Sequence, residues 1–122
     1  MNESAPSYSG PLTAYLIEAD PSLLAETMVA FANSDGGTII LGVDQAGIPT
    51  SDPIHGEELA AALQSAQQRC RPIIHTGWEQ HDHEGGTAFA IRVPRSAELH
   101  SVDDGRVLVR LGRDNHPLGG EQ

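Results

Sequence analysis

The chain has 122 residues, of which 17 are acidic and 7 are basic, so its formal net charge is -10 at pH 7. This charge repels nucleic acid at long range and argues against an autonomous, high-affinity DNA-binding protein. The single cysteine excludes an intramolecular disulfide framework, and no apolar run approaches the ~18 residues of a membrane span. We therefore expect a cytoplasmic domain without a membrane partner.

The first half of the chain predicts two strands that alternate with two helices. A first strand is predicted at Leu12–Glu18, and Asp20-Pro21 then predicts a helix start, because aspartate caps free amides and proline suits the first turn. Apolar residues at helical spacing predict helices at about Pro21–Asn33 and Glu57–Cys70. Thr38–Val43 is β-branched or apolar at nearly every position, which is typical of a strand covered on both faces.

The second half predicts three more strands. Ile73–Gln80 and Thr87–Val93 flank HDHEGG, a sequence that favours a hairpin loop. Arg106–Leu111 is the last strand, and alternation predicts that its apolar side is formed by Val107, Val109 and Leu111. The order β-α-β-α-β-β-β predicts an α+β fold in which two helices pack on a mixed sheet of about five strands. Two short helices cannot cover both faces, so we expect one face, that of the late strands, to be open to solvent or a partner.

The two ends of the chain lack periodic patterns. Residues 1–11 are rich in serine, proline and glycine, which predicts a flexible lead. The pattern is lost again after Gly112. We expect one domain at residues 12–113, followed by a tail at residues 114–122 that leads into a missing downstream region.

A helix end, a double-glycine turn and a buried strand follow one another in ETMVAFANSDGGTIILGVDQAG, residues 26–47. Polar residues such as Asn33 favour helix ends, and Gly36 and Gly37 allow backbone angles that a β-carbon would forbid. We expect the rest of the chain to be organised around this stretch. Its structural residues, called the hub below, are Phe31, Asn33, Gly36, Gly37 and Gly42.

AFANSDGGTIILGVDQAG resembles the signature of the Schlafen-type AlbA domain, which is usually described as a DNA-binding domain of bacterial transcriptional regulators. Weaker matches are Val93-Pro94-Arg95-Ser96 and Val109-Arg110-Leu111-Gly112. The resemblance covers about Leu12 to Arg113. It implies a nucleic-acid-associated regulatory module, the N-terminal domain of a longer bacterial protein.

Some Schlafen relatives are RNA endonucleases that use two glutamates and an aspartate, and the resemblance places Glu18 and Asp44 at two of these positions. Thr13 stands near the position of the other glutamate, and Glu18-Ala19-Asp20 replaces a Glu-Phe-Lys-like motif. Metal-assisted phosphodiester cleavage needs several carboxylates and cationic groups on the phosphate. We therefore expect a non-catalytic domain in which Asp44 shapes a turn and Glu18 is a solvated strand end. A degenerate metal-dependent RNA endonuclease is the alternative.

The basic residues are all arginines, and five of the seven lie in the last third of the chain. We take Arg92, Arg95, Arg110 and Arg113 as the candidates for nucleic-acid binding, because a planar guanidinium fork suits phosphate. Arg110 and Arg113 are preferred, since Arg110 lies opposite the predicted apolar side of the last strand. Ion pairing with the many acids is an equally open interpretation. Weak binding of DNA or RNA by the isolated domain is expected.

Two other features predict no site. His81, Asp82, His83 and Glu84 alternate at a hairpin tip without a third anchored ligand, so neither a metal site nor a cofactor is expected. Cys70 is expected in the core. A protein-interaction or oligomerisation module, for example a homodimer, stays open as a third function, because the acidic charge and a half-covered sheet would suit it.

Overall fold

The computed structural model describes residues 10–50, 54–83 and 86–118, which contain two helices and eight strands. Residues 1–9 of the expected lead and 119–122 of the expected tail lie outside them. In chain order the elements are β1 (Thr13–Leu16), α1 (Pro21–Ala32), β2 (Gly37–Leu41), α2 (Gly56–Gln68), β3 (Cys70–Arg71), β4 (Trp78–His83), β5 (Gly86–Val93), β6 (Ser101–Val102), β7 (Leu108–Leu111) and β8 (Asp114–Pro117). The predicted α+β class is confirmed.

The main sheet has four strands in the order β1-β2-β5-β4. β1 runs parallel to β2, whereas β2–β5 and β5–β4 are antiparallel, so the sheet is mixed as predicted. The two remaining pairs, β3–β6 and β7–β8, form small separate sheets. The late strands therefore do not extend the main sheet, which has four strands instead of about five.

Helix α1 is the centre of the core. Its start is the predicted one, since Asp20 Oδ1 accepts a hydrogen bond of 3.0 Å from the amide of Ser22 and Pro21 is the first helical residue. The helix contacts α2, β2, β5 and β7. Eight of its twelve residues are buried: Leu24, Ala25, Thr27, Met28, Val29, Ala30, Phe31 and Ala32.

Helix α2 covers the same face of the sheet with one apolar side, Leu59, Ala62, Leu63 and Ala66. It ends at Gln68, earlier than predicted, because Cys70 pairs with Val102 in the β3–β6 ladder. Cys70 is buried, as expected for a core cysteine, and its burial raises the pKa of the thiol to about 11. In the part of the chain that the structure describes, neither helix is long and apolar enough to cross a membrane.

Strand β4 begins at Trp78 and not at Ile73, so the prediction placed it too early. It is an edge strand whose residues Trp78–Asp82 are exposed, and its sequence therefore lacks the apolar alternation by which strands are recognised. Its pairing with β5 continues to His83 opposite Gly86, so the predicted hairpin is present. The predicted loop HDHEGG was too long, because His81–His83 and Gly86 belong to the strands. Glu84 lies outside the described residues.

The buried side of β7 is the opposite of the predicted one. Leu108 and Arg110 are buried, whereas Leu111 is exposed and Val109 only half-buried. Alternation identifies two sides of a strand but does not say which one meets the core, and here an arginine occupies the inner side. β7 packs on α1, so the uncovered face belongs to the main sheet and not to the late strands.

The segment expected to be a tail forms β8, which pairs with β7 from Leu111 opposite Asp114 to Leu108 opposite Pro117. Half-buried Asn115 explains why this strand belongs to the folded unit, since its Nδ2 donates to Thr27 Oγ1 of α1 at 3.0 Å. The expected boundary at Arg113 thus falls inside the β7–β8 hairpin.

Candidate functional site

The hub fixes the end of α1 against distant parts of the chain. Asn33 Nδ2 donates to the carbonyl oxygens of His100 and Leu108, both at 2.9 Å, and Asn33 Oδ1 accepts from the His100 amide at 2.8 Å. The ring of buried His100 is held in turn by the Pro72 carbonyl and by Ser96 Oγ, each at 2.8 Å. One amide side chain thereby joins the helix to the segments on either side of β6.

The hub glycines occupy positions where a side chain has no room. Gly36 has a φ of +78°, and a β-carbon there would lie 2.8 Å from the Val93 carbonyl oxygen. A β-carbon at Gly37 would come within 2.6 Å of the Phe31 ring. Gly42 has a φ of +87° and lies against the backbone of Thr87. The double-glycine turn therefore lets the helix end, β2 and the end of β5 approach closely.

A groove of about 370 Å³ lies on the uncovered face of the main sheet. Its floor is apolar and consists of Tyr15, Ile40, Ala88 and Ala90, which come from β1, β2 and β5. Gly47 closes one side against the Tyr15 ring. The remaining lining residues are Thr13, Thr38, Val43, His81, Phe89 and Arg92, so none of the described carboxylates lines the groove in a chain with 17 acidic residues.

Arg92 is the cation at the rim of this groove. It pairs with Thr38 across the β2–β5 ladder, and its side chain is 68% exposed. Arg92 Nη2 lies 3.4 Å from Glu79 Oε1, and the same oxygen lies 3.3 Å from His81 Nε2. Such an exposed ion pair is weak, so Arg92 can exchange Glu79 for another anion at little cost. Arg95 is also exposed and follows β5 beside the double-glycine turn.

Arg110 is not on the surface, where we expected it. Only 8% of the surface of Arg110 is exposed to solvent, and its guanidinium carbon lies 5.0 Å from the centroid of the Phe31 ring. Its nitrogens donate to the carbonyl oxygens of Gly10 and Thr13, at 3.2 and 3.3 Å, and to Asn115 Oδ1 at 2.8 Å. Burial lowers the pKa of Arg110, and the charge of Asp114 partly opposes this shift. These contacts give Arg110 a role in packing.

Arg113 lies in the turn between β7 and β8 and is exposed. It lines a second cavity together with Arg110, so the structure brings these two candidates together. Arg92 lines the groove on the uncovered face instead. The four candidate arginines therefore do not form one continuous patch.

The two residues that match the nuclease positions have ordinary surroundings. Asp44 Oδ1 accepts hydrogen bonds from the amides of Ala46 and Ile48, at 2.9 and 3.0 Å, which confirms that it shapes a turn. Glu18 is exposed after the end of β1. At the hairpin, Asp82 Oδ1 accepts from Gln80 and Thr87 side chains. Over residues 10–50, 54–83 and 86–118, no three His, Cys, Asp or Glu side chains are grouped to hold a metal ion.

The groove residues were missed by sequence reasoning. Ile40 stands beside Ile39 and Leu41 in an unbroken apolar run, so the sequence does not distinguish its face from theirs. Ala88 and Ala90 alternate with the larger Phe89 and Ile91, all four being buried, and this alternation in size was the available signal. The register between strands, which assembles the groove, cannot be read from a single sequence.

The fold and the groove together define an α+β domain built on a helix–glycine–strand hub, with one sheet face uncovered. Residues 11–119 match the family model described as Schlafen, AlbA_2, and the chain belongs to this family. The match confirms the resemblance of the hub sequence. No curated protein matches the chain in sequence.

Two of the solved structures that share the fold illustrate the likeness. The DIP2311 protein of Corynebacterium diphtheriae is 20% identical with a TM-score of 0.67, over 88% of this chain and 25% of that one. The chain thus spans about a quarter of the length of that protein. The other is the N-terminal domain of a Nitrosomonas europaea protein described as related to the ATP-dependent DNA helicase RecG. It is 18% identical with a TM-score of 0.56, over 93% of this chain and 82% of that one. At such identities the likeness concerns the fold alone.

Proposed function

We propose that this domain is a non-catalytic, nucleic-acid-associated module of a larger bacterial regulatory protein, and that it contacts nucleic acid through the uncovered face of the main sheet. One observation carries the proposal. The groove on this face has an apolar floor and Arg92 at its rim, and no acidic residue lines it in the part of the chain that the structure describes, although the chain as a whole is strongly acidic.

The chemistry of the groove suits a single strand. A base can lie on the apolar floor formed by Ile40, Ala88 and Ala90, while Arg92 contacts a backbone phosphate. The groove is too small for a duplex. Arg95, two residues beyond the end of β5, would extend the cationic rim along the strand.

The relatives support a module of this kind. The Schlafen-type AlbA resemblance implies bacterial regulators, and the Nitrosomonas europaea structure is itself the N-terminal domain of a protein related to a DNA helicase. The domain also corresponds to only a quarter of the Corynebacterium diphtheriae protein, as expected for one part of a larger architecture.

The residues at the positions that correspond to the nuclease carboxylates favour a non-catalytic role. Asp44 is engaged by two backbone amides, and Thr13 stands near the place of one glutamate. The chain contains no lysine to contact the scissile phosphate. Hydrolysis would need several carboxylates around a hard cation, and this set is incomplete.

The proposal is tested by fluorescence anisotropy with labelled single- and double-stranded DNA and RNA at two salt concentrations. We expect single strands to bind with a Kd on the order of 10⁻⁴–10⁻⁶ M. The affinity should fall steeply, and the Kd rise, as salt is added, because binding releases counterions. Arg92→Ala should weaken binding, and Glu79→Gln should strengthen it because it removes the competing carboxylate. Arg71→Ala, which removes the same charge from the exposed residue of β3, is the matched control.

Binding that is unchanged by both Arg92→Ala and Glu79→Gln would contradict the proposed surface. If no oligonucleotide binds at low salt, the proposed function is wrong. A mass that rises with protein concentration would then favour the protein-interaction module, with the apolar groove floor as its contact.

A further inference from the structure

A second cavity, of about 340 Å³, lies on the other side of β1, where this edge strand faces α1 and the β7–β8 hairpin. It differs from the groove in its chemistry. Side chains that donate hydrogen bonds dominate its polar lining: Gln45, Arg110, Arg113 and Asn115. It is therefore the place where two arginines converge in an acidic protein.

The walls of the cavity are held in place by hydrogen bonds. Among the described strands β1 has no neighbour on this side. The Thr13 carbonyl accepts there from the Gly10 amide, at 2.7 Å, and from Arg110 Nη2, at 3.3 Å, and the Tyr15 carbonyl accepts from Gln45 Nε2, at 3.1 Å. Asn115 bridges Arg110 Nη1 and Thr27 Oγ1, at 2.8 and 3.0 Å. Gln45, Arg110 and Asn115 are thus fixed before any ligand arrives, which lowers the entropic cost of binding.

The positive charge of Arg110 is not neutralised by an ion pair. No carboxylate lies within 4.0 Å of its guanidinium in the described part of the chain, and its three acceptors are neutral oxygens. Buried charges are usually paired, because desolvation of an unpaired ion is costly. Arginine has five N–H groups, so two remain beyond these three bonds. Arg110 could therefore accommodate an anion.

The acidic residues near the cavity do not prevent Arg110 from accommodating an anion. Glu26 lines it, but its Oε2 lies 2.9 Å from Arg106 Nη2, an arginine that also pairs with Asp104 at 2.8 Å, so its charge is compensated in part. Asp114 also lines the cavity and forms no ion pair in residues 86–118 or the other described segments. Arg113 precedes Asp114 and is exposed at the cavity. Asp114 is therefore the lining carboxylate expected to oppose an anion most strongly.

We propose that this cavity binds a phosphate group, with Arg113 and the remaining N–H groups of Arg110 on the phosphate oxygens. A phosphate monoester fits best, because its charge and its several acceptors match two guanidinium forks. The ligand can be a free mononucleotide or the terminal phosphate of a nucleic-acid strand. The site uses other residues than the groove and does not depend on the proposed function.

An amide NMR titration of the 122-residue chain with inorganic phosphate tests the site. We expect saturable shifts that centre on Gly112, Arg113 and Asn115. Arg113→Ala should weaken binding about tenfold or more, as expected for the loss of a charge-assisted hydrogen bond, and should leave the fold unchanged because this side chain is exposed. Asp114→Asn should strengthen binding. Arg71→Ala is the matched control and should have no effect.

Titrations with adenosine monophosphate and with one oligonucleotide carrying either a 5′-phosphate or a 5′-hydroxyl distinguish the two sources. A preference for the 5′-phosphate that disappears in Arg113→Ala assigns the site to strand ends. Tighter binding of the mononucleotide assigns it to free phosphate compounds. The proposal is overturned if phosphate shifts no resonance near Arg113, or if Arg113→Ala and Arg71→Ala bind phosphate equally. Arg92 lines the groove and not this cavity, so Arg92→Ala should leave phosphate binding unchanged. This variant therefore distinguishes a loss of the phosphate site from a loss of the groove.

Discussion

The ring of Phe31 lies directly against the α-carbon of Gly37, so closely that a β-carbon at position 37 would approach Phe31 Cδ1 to 2.6 Å. Phe31 is fully buried, and the guanidinium of Arg110 packs on its ring. The ring therefore has no free space into which it can move when residue 37 grows. This relationship explains why the turn after α1 needs glycine at its second position.

Gly37→Ala and Gly37→Val are expected to destabilise the domain, by about 1–3 kcal/mol for the smaller change, because they overpack the core. Phe31→Ala should cost about 3–5 kcal/mol through the cavity that it leaves. Combined with Phe31→Ala, Gly37→Ala should cost much less than it does alone, since the clash is gone. Urea unfolding measures all three. Gly77→Ala, at an exposed glycine with open space around it, is the control and should be close to neutral.

Arg110→Ala is expected to destabilise the domain by about 2 kcal/mol or more, because it removes three hydrogen bonds of a charged group and a ring contact. Arg110→Lys should not restore stability, since an ammonium group cannot reach three acceptors with the same planar geometry. Arg113→Ala should leave the melting temperature unchanged. If both alanine variants melt like the parent, the inward position of Arg110 is contradicted.

The environments of Arg110 and Arg113 determine which arginine variants are informative in a binding experiment. From the sequence, Arg110 and Arg113 appear as one pair on the outer side of β7, and a double alanine variant appears harmless to the fold. The structure gives them different environments, because Arg110 is buried on Phe31 whereas Arg113 is exposed in the turn. A loss of binding in Arg110→Ala would report unfolding as readily as lost contact, so Arg92 and Arg113 are the informative positions.

The stability of the domain should depend on the protonation of Cys70 at alkaline pH. Burial raises the pKa of this thiol in the folded state from 9.0 to about 11, so folding favours the protonated thiol. Its contribution is fully present below pH 9 and is lost as the pH rises through about 11. Burial also raises the pKa of Tyr15, which acts in the same direction. Unfolding free energies of Cys70→Ala should therefore fall less steeply over this window than those of the parent.

The opposite result, an equal or steeper fall in Cys70→Ala, would mean that the thiol is not buried in solution. A thiol reagent gives an independent check at neutral pH. It should modify the native protein slowly and the urea-unfolded protein rapidly, because the buried thiol is both inaccessible and protonated.

No hydrolysis of RNA or DNA is expected with Mg²⁺ or Mn²⁺, because the acidic set around Glu18 and Asp44 is incomplete. Glu18→Gln and Asp44→Asn are the variants to compare, since Asp44→Asn keeps an oxygen that can accept from the Ala46 and Ile48 amides. Metal-dependent cleavage that disappears in either variant would establish the nuclease alternative. Cleavage that persists in both would indicate a contaminating enzyme.

The sequence predicts the parts of this fold that depend on neighbouring residues. The cap at Asp20, the apolar side of α1 and the glycines before β2 are local, and they lie where the pattern places them. Parts that depend on distant pairing were not predictable. The groove exists because Arg92 pairs with Thr38 and Ala88 pairs with His81, and a single sequence does not contain this register. Strand β8 was not predicted for a related reason, since its stability comes from β7 and α1 and not from its own polar residues.

The bonds from Arg110 to Gly10 and Thr13 join residues that are 100 and 97 positions apart. Together with the packing of β7 on α1, they make the first helix depend on one of the last strands. During synthesis, α1 leaves the ribosome long before β7, and the part of its apolar surface that β7 covers stays exposed until the β7–β8 hairpin follows. We therefore expect the nascent domain to remain sensitive to proteases, and to need protection by chaperones, until nearly all of it has been translated.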